Sequence, residues 1–101
     1  MAHNINTQLQ KAQTLLQSGN VPAAYALVEA VIQRAPVNPQ ANYLLGVMRL
    51  MNGDAADAIT PLEITLQADP GNGAALDSLG LSYLMLGRYT EAEPVLRRAA
   101  A

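Results

Sequence analysis

The sequence predicts an all-α fold, an α-α superhelix (solenoid) of three helix-turn-helix repeats with six helices. Three observations predict it: similar residues recur every 34 positions, alanine and leucine supply 18 and 15 of the 101 residues, and glycine and proline separate the apolar segments. Alanine and leucine favour helices, whereas aromatic residues, which favour strands, make up only 4% of the chain. A chain of this length forms one domain at most.

The 34-residue spacing is the strongest signal in the sequence. Aligning residues 39–67 with 73–101 gives 8 identities in 29 positions, whereas average composition would give about two or three. The identical pairs are Ala41/Ala75, Leu45/Leu79, Gly46/Gly80, Leu50/Leu84, Met51/Met85, Gly53/Gly87, Ala58/Ala92 and Leu62/Leu96. Gly19, Ala24 and Leu16 extend the same spacing into a first unit. Such a period is typical of proteins in which each unit packs against the next.

Glycine turns divide each unit into two helices. In the second unit, Gly53 lies where a helix ends in a left-handed residue, and Asp54 is the expected N-cap of the next helix. The first unit repeats the turn at Gly19, and the third has Gly87 followed by Arg88, which is a poor cap. The six predicted helices span approximately residues 5–18, 22–34, 39–52, 55–68, 73–86 and 89–100.

Prolines both end and interrupt the second helix of a unit. Pro36 and Pro70 end two of these helices, because the residue before a proline avoids the helical region. Pro61 and Pro94 fall inside second helices, about one turn after the start, where proline removes a backbone donor. We expect a slight kink or a tight opening turn at each of these two.

The repeated unit combines Leu-Gly, a turn glycine, a mid-helix alanine and a closing Asp-Pro. These positions are Leu45, Gly46, Gly53, Ala58 and Pro70 in the second unit and Leu79, Gly80, Tyr83, Gly87, Tyr89 and Ala92 in the third. In these features residues 5–101 resemble the tetratricopeptide repeat family. The resemblance implies a leader at 1–4, a repeat at 5–38, a second at 39–72 and an incomplete third at 73–101, forming one domain. The first repeat is atypical, as a terminal repeat facing water is expected to be.

Small residues predict close packing within each hairpin. Gly46 with Ala58, and Gly80 with Ala92, leave room for two antiparallel helices to approach more closely than two leucines would allow. Because neither helix of a pair buries its whole apolar face alone, stability is expected to come from stacking the units.

Composition excludes several classes of function. A net charge of −2 provides no basic surface for nucleic acid, and the absence of cysteine removes disulfides and zinc-thiolate sites. The N-terminus does not resemble a secretion signal, and no apolar stretch approaches the roughly 20 residues of a membrane helix. We therefore expect no membrane insertion and take the cytoplasm as the default compartment, with a periplasmic parent protein left open.

Reactive side chains are too few for catalysis. His3, the only histidine, lies in the polar leader, where a general base is a poor interpretation. Asp54 and Asp57 are spaced like a carboxylate metal pair, but both fall in the first turn of a helix, where the helix dipole favours negative charge. We expect no enzymatic activity, no cofactor and no metal site.

The resemblance implies a concave surface lined by the first helix of each repeat. The residues expected to form a peptide-binding groove there are Leu9, Gln13, Tyr43, Leu44, Val47, Met51, Asp77, Ser78, Leu81 and Met85, with Asn6, Gln17 and Ala74 beside them. Tetratricopeptide domains that clamp a peptide carboxylate use Lys, Arg and Asn in this groove, and this sequence does not. The groove therefore suits an apolar or amphipathic polypeptide segment. In the alternative interpretation, Leu50, Leu84 and part of the methionine pair merely pack between repeats.

Two roles stay open at this stage. The chain is either a protein-interaction scaffold or an N-terminal regulatory or substrate-presenting array of a larger enzyme, such as a bacterial transferase. The incomplete third repeat suggests a fragment of a longer protein, or a homodimer through the uncapped C-terminal end, where Val95 and Leu96 are expected to be exposed. Arg49 is expected to bury its stem and to direct its head to water or an acid, with Asp77 as a candidate.

Overall fold

A computed structural model describes residues 4–101 as a series of three helical hairpins. The helices are α1 (Ile5–Gln17), α2 (Val21–Arg34), α3 (Pro39–Met51), α4 (Ala55–Ala68), α5 (Gly73–Met85) and α6 (Tyr89–Ala100). This architecture confirms the six helices and the all-α class predicted from the sequence. His3 lies outside the described residues.

The turn inside each hairpin has the same backbone geometry. Gly19, Gly53 and Gly87 have φ values of +89°, +84° and +73°. In the middle hairpin, the Gly53 N–H donates to the Leu50 carbonyl at 3.0 Å, and the next N–H donates to the Arg49 carbonyl at 2.8 Å. This pair of hydrogen bonds is a Schellman motif, which needs a left-handed residue that glycine adopts without strain. The predicted glycine turns are therefore confirmed.

Asparagines cap most of the helices. The side chains of Asn38 and Asn72 accept from backbone N–H groups in the first turns of α3 and α5, at 2.9 and 3.0 Å. Asp54 occupies the N-cap position of α4, as predicted, but its side chain makes no capping hydrogen bond. Its carboxylate accepts from the Asn52 amide at 2.8 Å instead, so the predicted N-cap position is confirmed without a capping hydrogen bond. Arg88 is likewise an N-cap without a side-chain hydrogen bond.

Glycines allow close packing in the second and third hairpins. A Cβ atom added at Gly46 would lie 2.7 Å from Cγ of Leu62, and one added at Gly80 would lie 2.3 Å from a methyl carbon of Leu96. Real Cβ atoms essentially never make such short contacts. The predicted close approach is confirmed, and the contacts show that a leucine of the second helix fills the space over each glycine.

The hairpins stack in chain order and form a curved array. Each helix from α1 to α6 contacts the next one along the chain. In addition, α3 contacts both α1 and α5. Among these six helices, no Cα atoms of α2 and α4, or of α4 and α6, come within 8 Å of each other. The first helices of the hairpins are thus closer together than the second helices. Helices α1, α3 and α5 therefore lie on the concave side.

Pro61 and Pro94 both lie inside continuous helices. Because Pro61 has no N–H, the carbonyl of Asp57, four residues earlier, lacks its donor within α4. The guanidinium of half-buried Arg49 donates to that carbonyl at 2.9 Å. Asp77 is therefore the wrong partner for Arg49, because the arginine head is bound to α4 of its own hairpin.

The exposed side chains at the C-terminal end differ from those expected. Val95 and Leu96 are half-buried and pack against the core that includes Leu62 and Leu79. The apolar residues exposed at this end are Leu81, Leu84, Met85, Leu86 and Tyr89. The expected apolar end surface exists, but residues at the end of α5 and the start of α6 form it.

Candidate peptide-binding groove

Three parallel stripes of side chains occupy corresponding positions on the concave helices. Each stripe takes every fourth residue of its helix, and the stripes are 34 residues apart in the sequence. They are Leu9, Gln13 and Gln17 on α1, Tyr43, Val47 and Met51 on α3, and Asp77, Leu81 and Met85 on α5. Because residues four apart lie on one face of a helix, these nine positions form a three-by-three array, the groove array.

The structure leaves most of the expected groove residues accessible. Gln13, Met51, Asp77, Leu81 and Met85 are exposed, and Tyr43, Val47 and Ser78 are half-buried. Leu9 and Leu44 are only 3% exposed and belong to the core formed by the first two hairpins. We assign both Leu9 and Leu44 to the core that supports the groove, because each offers almost no surface to a ligand.

One corner of the groove array is apolar and open. Met51 is 58% exposed, Leu81 47% and Met85 48%, and half-buried Val47 lies one turn from Met51. We call these four residues the apolar corner. The alternative that Leu50, Leu84 and part of the methionine pair merely pack between repeats fits half-buried Leu50, which packs against the core, but Leu84 and both methionines are exposed. Long, flexible methionine side chains adapt to ligands of different shape.

The opposite side of the groove is lined by amides. A cavity of about 410 Å³ opens between α1 and the start of α3. Its lining residues are Asn6, Leu9, Gln10, Gln13 and Gln40. The sequence-based interpretation missed Gln10 and Gln40. Side-chain amides both donate and accept hydrogen bonds, so this part of the groove can bind a polypeptide backbone without selecting charge.

A second cavity lies away from the groove, at the edge where the hairpin turns are found. It has a volume of about 660 Å³ and is lined by Val21, Pro22, Tyr25, Met48, Arg49, Asn52, Asp54 and Asp57. Its one cationic head, Arg49, is already bound to a backbone carbonyl, and one of its two carboxylates accepts from an amide. This cavity is larger than the amide-lined one, but its polar groups are largely satisfied internally.

The shifted pKa values belong to side chains close to the turn of the third hairpin. The hydrogen bond from Arg88 lowers the pKa of Glu91 below its usual 4.5. Burial is the main cause that raises the pKa of Tyr83, whose ring lies 5.0 Å from the Arg88 guanidinium carbon. These three side chains form a structural cluster that packs α5 against α6.

Residues 4–101 contain neither a cluster of metal-binding side chains nor a helix that could span a membrane. No group of three or more His, Asp or Glu side chains there is arranged to hold a metal ion. None of the helices in that range combines the length and the apolar character that crossing a bilayer requires.

Comparison with known proteins identifies the repeat. A family model described as "Tetratricopeptide repeat" matches residues 9–73 and 52–101. The peroxisomal targeting signal receptor of Komagataella phaffii is 35% identical over 85 residues, which cover 83% of this chain and 15% of the receptor. The chain therefore spans a small part of the length of that relative.

Solved structures share the same architecture. A structure of MamA (AMB-1) superposes with a TM-score of 0.82 at 27% identity, covering 96% of this chain and 53% of that one. The globular C-terminal domain of P. aeruginosa LpoP has a TM-score of 0.81 at 25% identity, covering 100% of this chain and 99% of that domain.

Proposed function

The chain belongs to the tetratricopeptide repeat family, and from this premise we propose that it is a protein-interaction scaffold without catalytic activity. Its concave groove would hold an apolar or amphipathic polypeptide segment. The observation that carries the proposal is the apolar corner, where Met51, Leu81 and Met85 are each about half exposed on the concave side. Large exposed apolar side chains grouped on one face are typical of interaction sites.

The surroundings of the apolar corner support peptide binding over catalysis. The chain has no cysteine, and its only histidine, His3, precedes the groove helices, so the groove array contains neither residue type. Amide-lined space lies on one side of the apolar corner, where a bound backbone can form hydrogen bonds. One relative is named as a receptor for a targeting signal, which also supports a binding role.

We expect micromolar affinity, which corresponds to roughly −8 kcal/mol. Most of this binding free energy would come from apolar contact, so the dissociation constant should change by no more than a few-fold between low and moderate salt. A dissociation constant that rises steeply with salt would count against this groove.

A displayed library of random peptides of about 16 residues tests the proposal. The native chain should enrich peptides with apolar anchors, and the Met51→Glu/Met85→Glu variant should not, because both changes place charge in the apolar corner. Val37→Glu is the matched control, since Val37 is 73% exposed but lies in the loop between α2 and α3. Enrichment of the same peptides by the double variant would move the site off the concave face.

A second candidate role is self-association through the C-terminal end. Tyr89 is 67% exposed and Leu84 41% exposed there. Their counterparts 34 residues earlier, Ala55 and Leu50, are buried and half-buried. Sedimentation equilibrium over a range of concentrations should detect a dimer that Tyr89→Glu weakens. A strict monomer at high concentration would eliminate this candidate.

No feature of residues 4–101 favours the alternative role, that of a regulatory or substrate-presenting array in a larger enzyme.

A further inference from the structure

We propose that the groove selects helical segments that carry a basic residue and two apolar residues on successive turns, with Asp77 as the counter-charge for the basic residue. This inference rests on the proposed function and specifies the chemistry of the segment. Asp77 is the only charged residue among the nine positions of the groove array.

Asp77 lies on the same face of α5 as two of the apolar anchors. Asp77, Leu81 and Met85 are spaced by four residues, and all three are exposed. At 1.5 Å per residue, each step is about 6 Å along the helix axis, close to the 5.4 Å rise of one turn in a bound helix. A ligand helix aligned with α5 would therefore bring one residue to Asp77 and one residue of each following turn to the apolar corner.

The apolar corner is two residues wide at each of these levels. In the 34-residue register Val47 corresponds to Leu81 and Met51 to Met85, and α3 contacts α5 in the stack. Each apolar residue of the ligand would thus contact a pair of side chains from two helices. The third position of this α3 stripe is Tyr43, an uncharged neighbour of Asp77.

Within the described residues 4–101, no Lys or Arg side chain forms an ion pair with Asp77. Arg88 and Arg97 form ion pairs with glutamates of α6, and Arg49 and Arg98 donate to backbone carbonyls. Within residues 4–101, the Asp77 carboxylate has no hydrogen bond or ion pair in the structure. Among the described residues the Asp77 charge is thus left open to a complementary charge on the ligand.

The expected preference is modest. An exposed ion pair contributes little because water screens it, so a basic residue opposite Asp77 should strengthen binding by about two- to five-fold. The preference should shrink as salt is added. Apolar anchors would then provide most of the affinity, and Asp77 would set the orientation of the segment.

Selection of a displayed library of random peptides of about 16 residues tests the inference. The native chain should enrich peptides with Lys or Arg on one helical turn and an apolar residue on each of the next two turns. Asp77→Lys should instead enrich peptides with Asp or Glu at the position of the basic residue. Glu29→Lys is the matched control, because it makes the same change in net charge on exposed α2, outside the groove. This control should retain the native preference.

The best native peptide should bind Asp77→Asn about two- to five-fold more weakly at about 50 mM salt, with the difference largely lost at about 500 mM. Enrichment of apolar peptides without a basic residue would overturn the inference and leave the proposed function standing. No enrichment by any of the proteins would overturn both. Unchanged thermal melting of the Asp77 variants would show that they fold.

Discussion

Replacing Gly46 by alanine should destabilise the fold, although alanine is the better helix former. In an exposed helix this exchange gains about 1 kcal/mol of helix propensity. At Gly46 the new Cβ would lie 2.7 and 2.8 Å from two carbon atoms of Leu62, which is completely buried in α4. Overpacking of this kind costs about 1 to 3 kcal/mol, because surrounding side chains prevent Leu62 from moving away. The net loss should be about 0 to 2 kcal/mol.

Gly80→Ala should cost less, although its contact is shorter. Its Cβ would lie 2.3 Å from a methyl carbon of Leu96, but Leu96 is half-buried on α6 and has space to change rotamer. A strained rotamer costs about 0.5 to 1.5 kcal/mol, which the gain in helix propensity roughly offsets. Gly80→Leu gains a similar helix propensity, but its much larger side chain should overpack the hairpin and destabilise the fold by about 1 to 3 kcal/mol.

Urea and thermal unfolding measure these differences, and for a chain of this size 1 kcal/mol shifts Tm by about 4 to 8 °C. Gly73→Ala is the control, because nothing lies within 4 Å of its Cβ position at the start of α5. In a Leu62→Ala background, Gly46→Ala should become stabilising, since the obstructing atoms are absent. The reasoning would be refuted if Gly80→Ala lowered the free energy of unfolding more than Gly46→Ala does. It would also be refuted if Gly46→Ala stayed destabilising in the Leu62→Ala background.

Two further predictions concern hydrogen bonds. Arg49→Met should lower the free energy of unfolding in urea by about 0.5 to 1.5 kcal/mol, because it leaves the Asp57 carbonyl without a donor. Adding Pro61→Ala should restore much of this loss, because the alanine N–H can donate to that carbonyl. If Arg49→Met costs the same in the Pro61→Ala background as in the native chain, this explanation is wrong. The hydrogen bond from Arg88 lowers the folded-state pKa of Glu91 below 4.5, so its stabilisation is present above about pH 4.5 and is lost as pH falls through the lower folded value. Glu91→Gln should flatten this part of a plot of Tm against pH, and an unchanged acid limb would exclude the effect.

The helix boundaries were predictable because local chemistry sets them. Gly53 can adopt the left-handed conformation that ends α3, and Pro70 ends α4 whatever the rest of the chain does. Asp54 was placed correctly as an N-cap, but its side chain had a competing donor in the neighbouring Asn52 amide. Sequence alone identifies the position of a cap more reliably than the hydrogen bond that the cap makes.

Tertiary contacts explain the remaining differences. A signal for the partner of Arg49 was present in the sequence, because a proline inside a helix always leaves the carbonyl four residues earlier without its donor. Reading Pro61 in this way would have pointed to Asp57 and not to Asp77. Leu44 was assigned to the groove surface, but it is displaced by about 100° around α3 from Tyr43 and therefore faces the first hairpin's core.

Backbone carbonyls in this chain are satisfied by different side chains in different repeats. The Pro36 carbonyl accepts from Asn42 of α3 at 3.0 Å, whereas the equivalent Pro70 carbonyl accepts from Arg98 of α6 at 2.9 Å. Leu76 occupies the place of Asn42 in the third hairpin and cannot donate. Equivalent carbonyls in the stack thus obtain their donors from different elements, α3 in one case and α6 in the other.

The groove array shows the same freedom with a different consequence. One set of corresponding positions is Leu9, Tyr43 and Asp77, although turn glycines occur in all three hairpins. The residue at this level of the groove thus differs between repeats, from buried Leu9 through half-buried Tyr43 to exposed Asp77. Identical residues in every repeat would be sufficient for stacking. The groove array instead has an uncharged α1 stripe, an apolar corner and one carboxylate, so its two sides differ in polarity and charge. That asymmetry is what a bound segment needs in order to lie in the groove in one orientation.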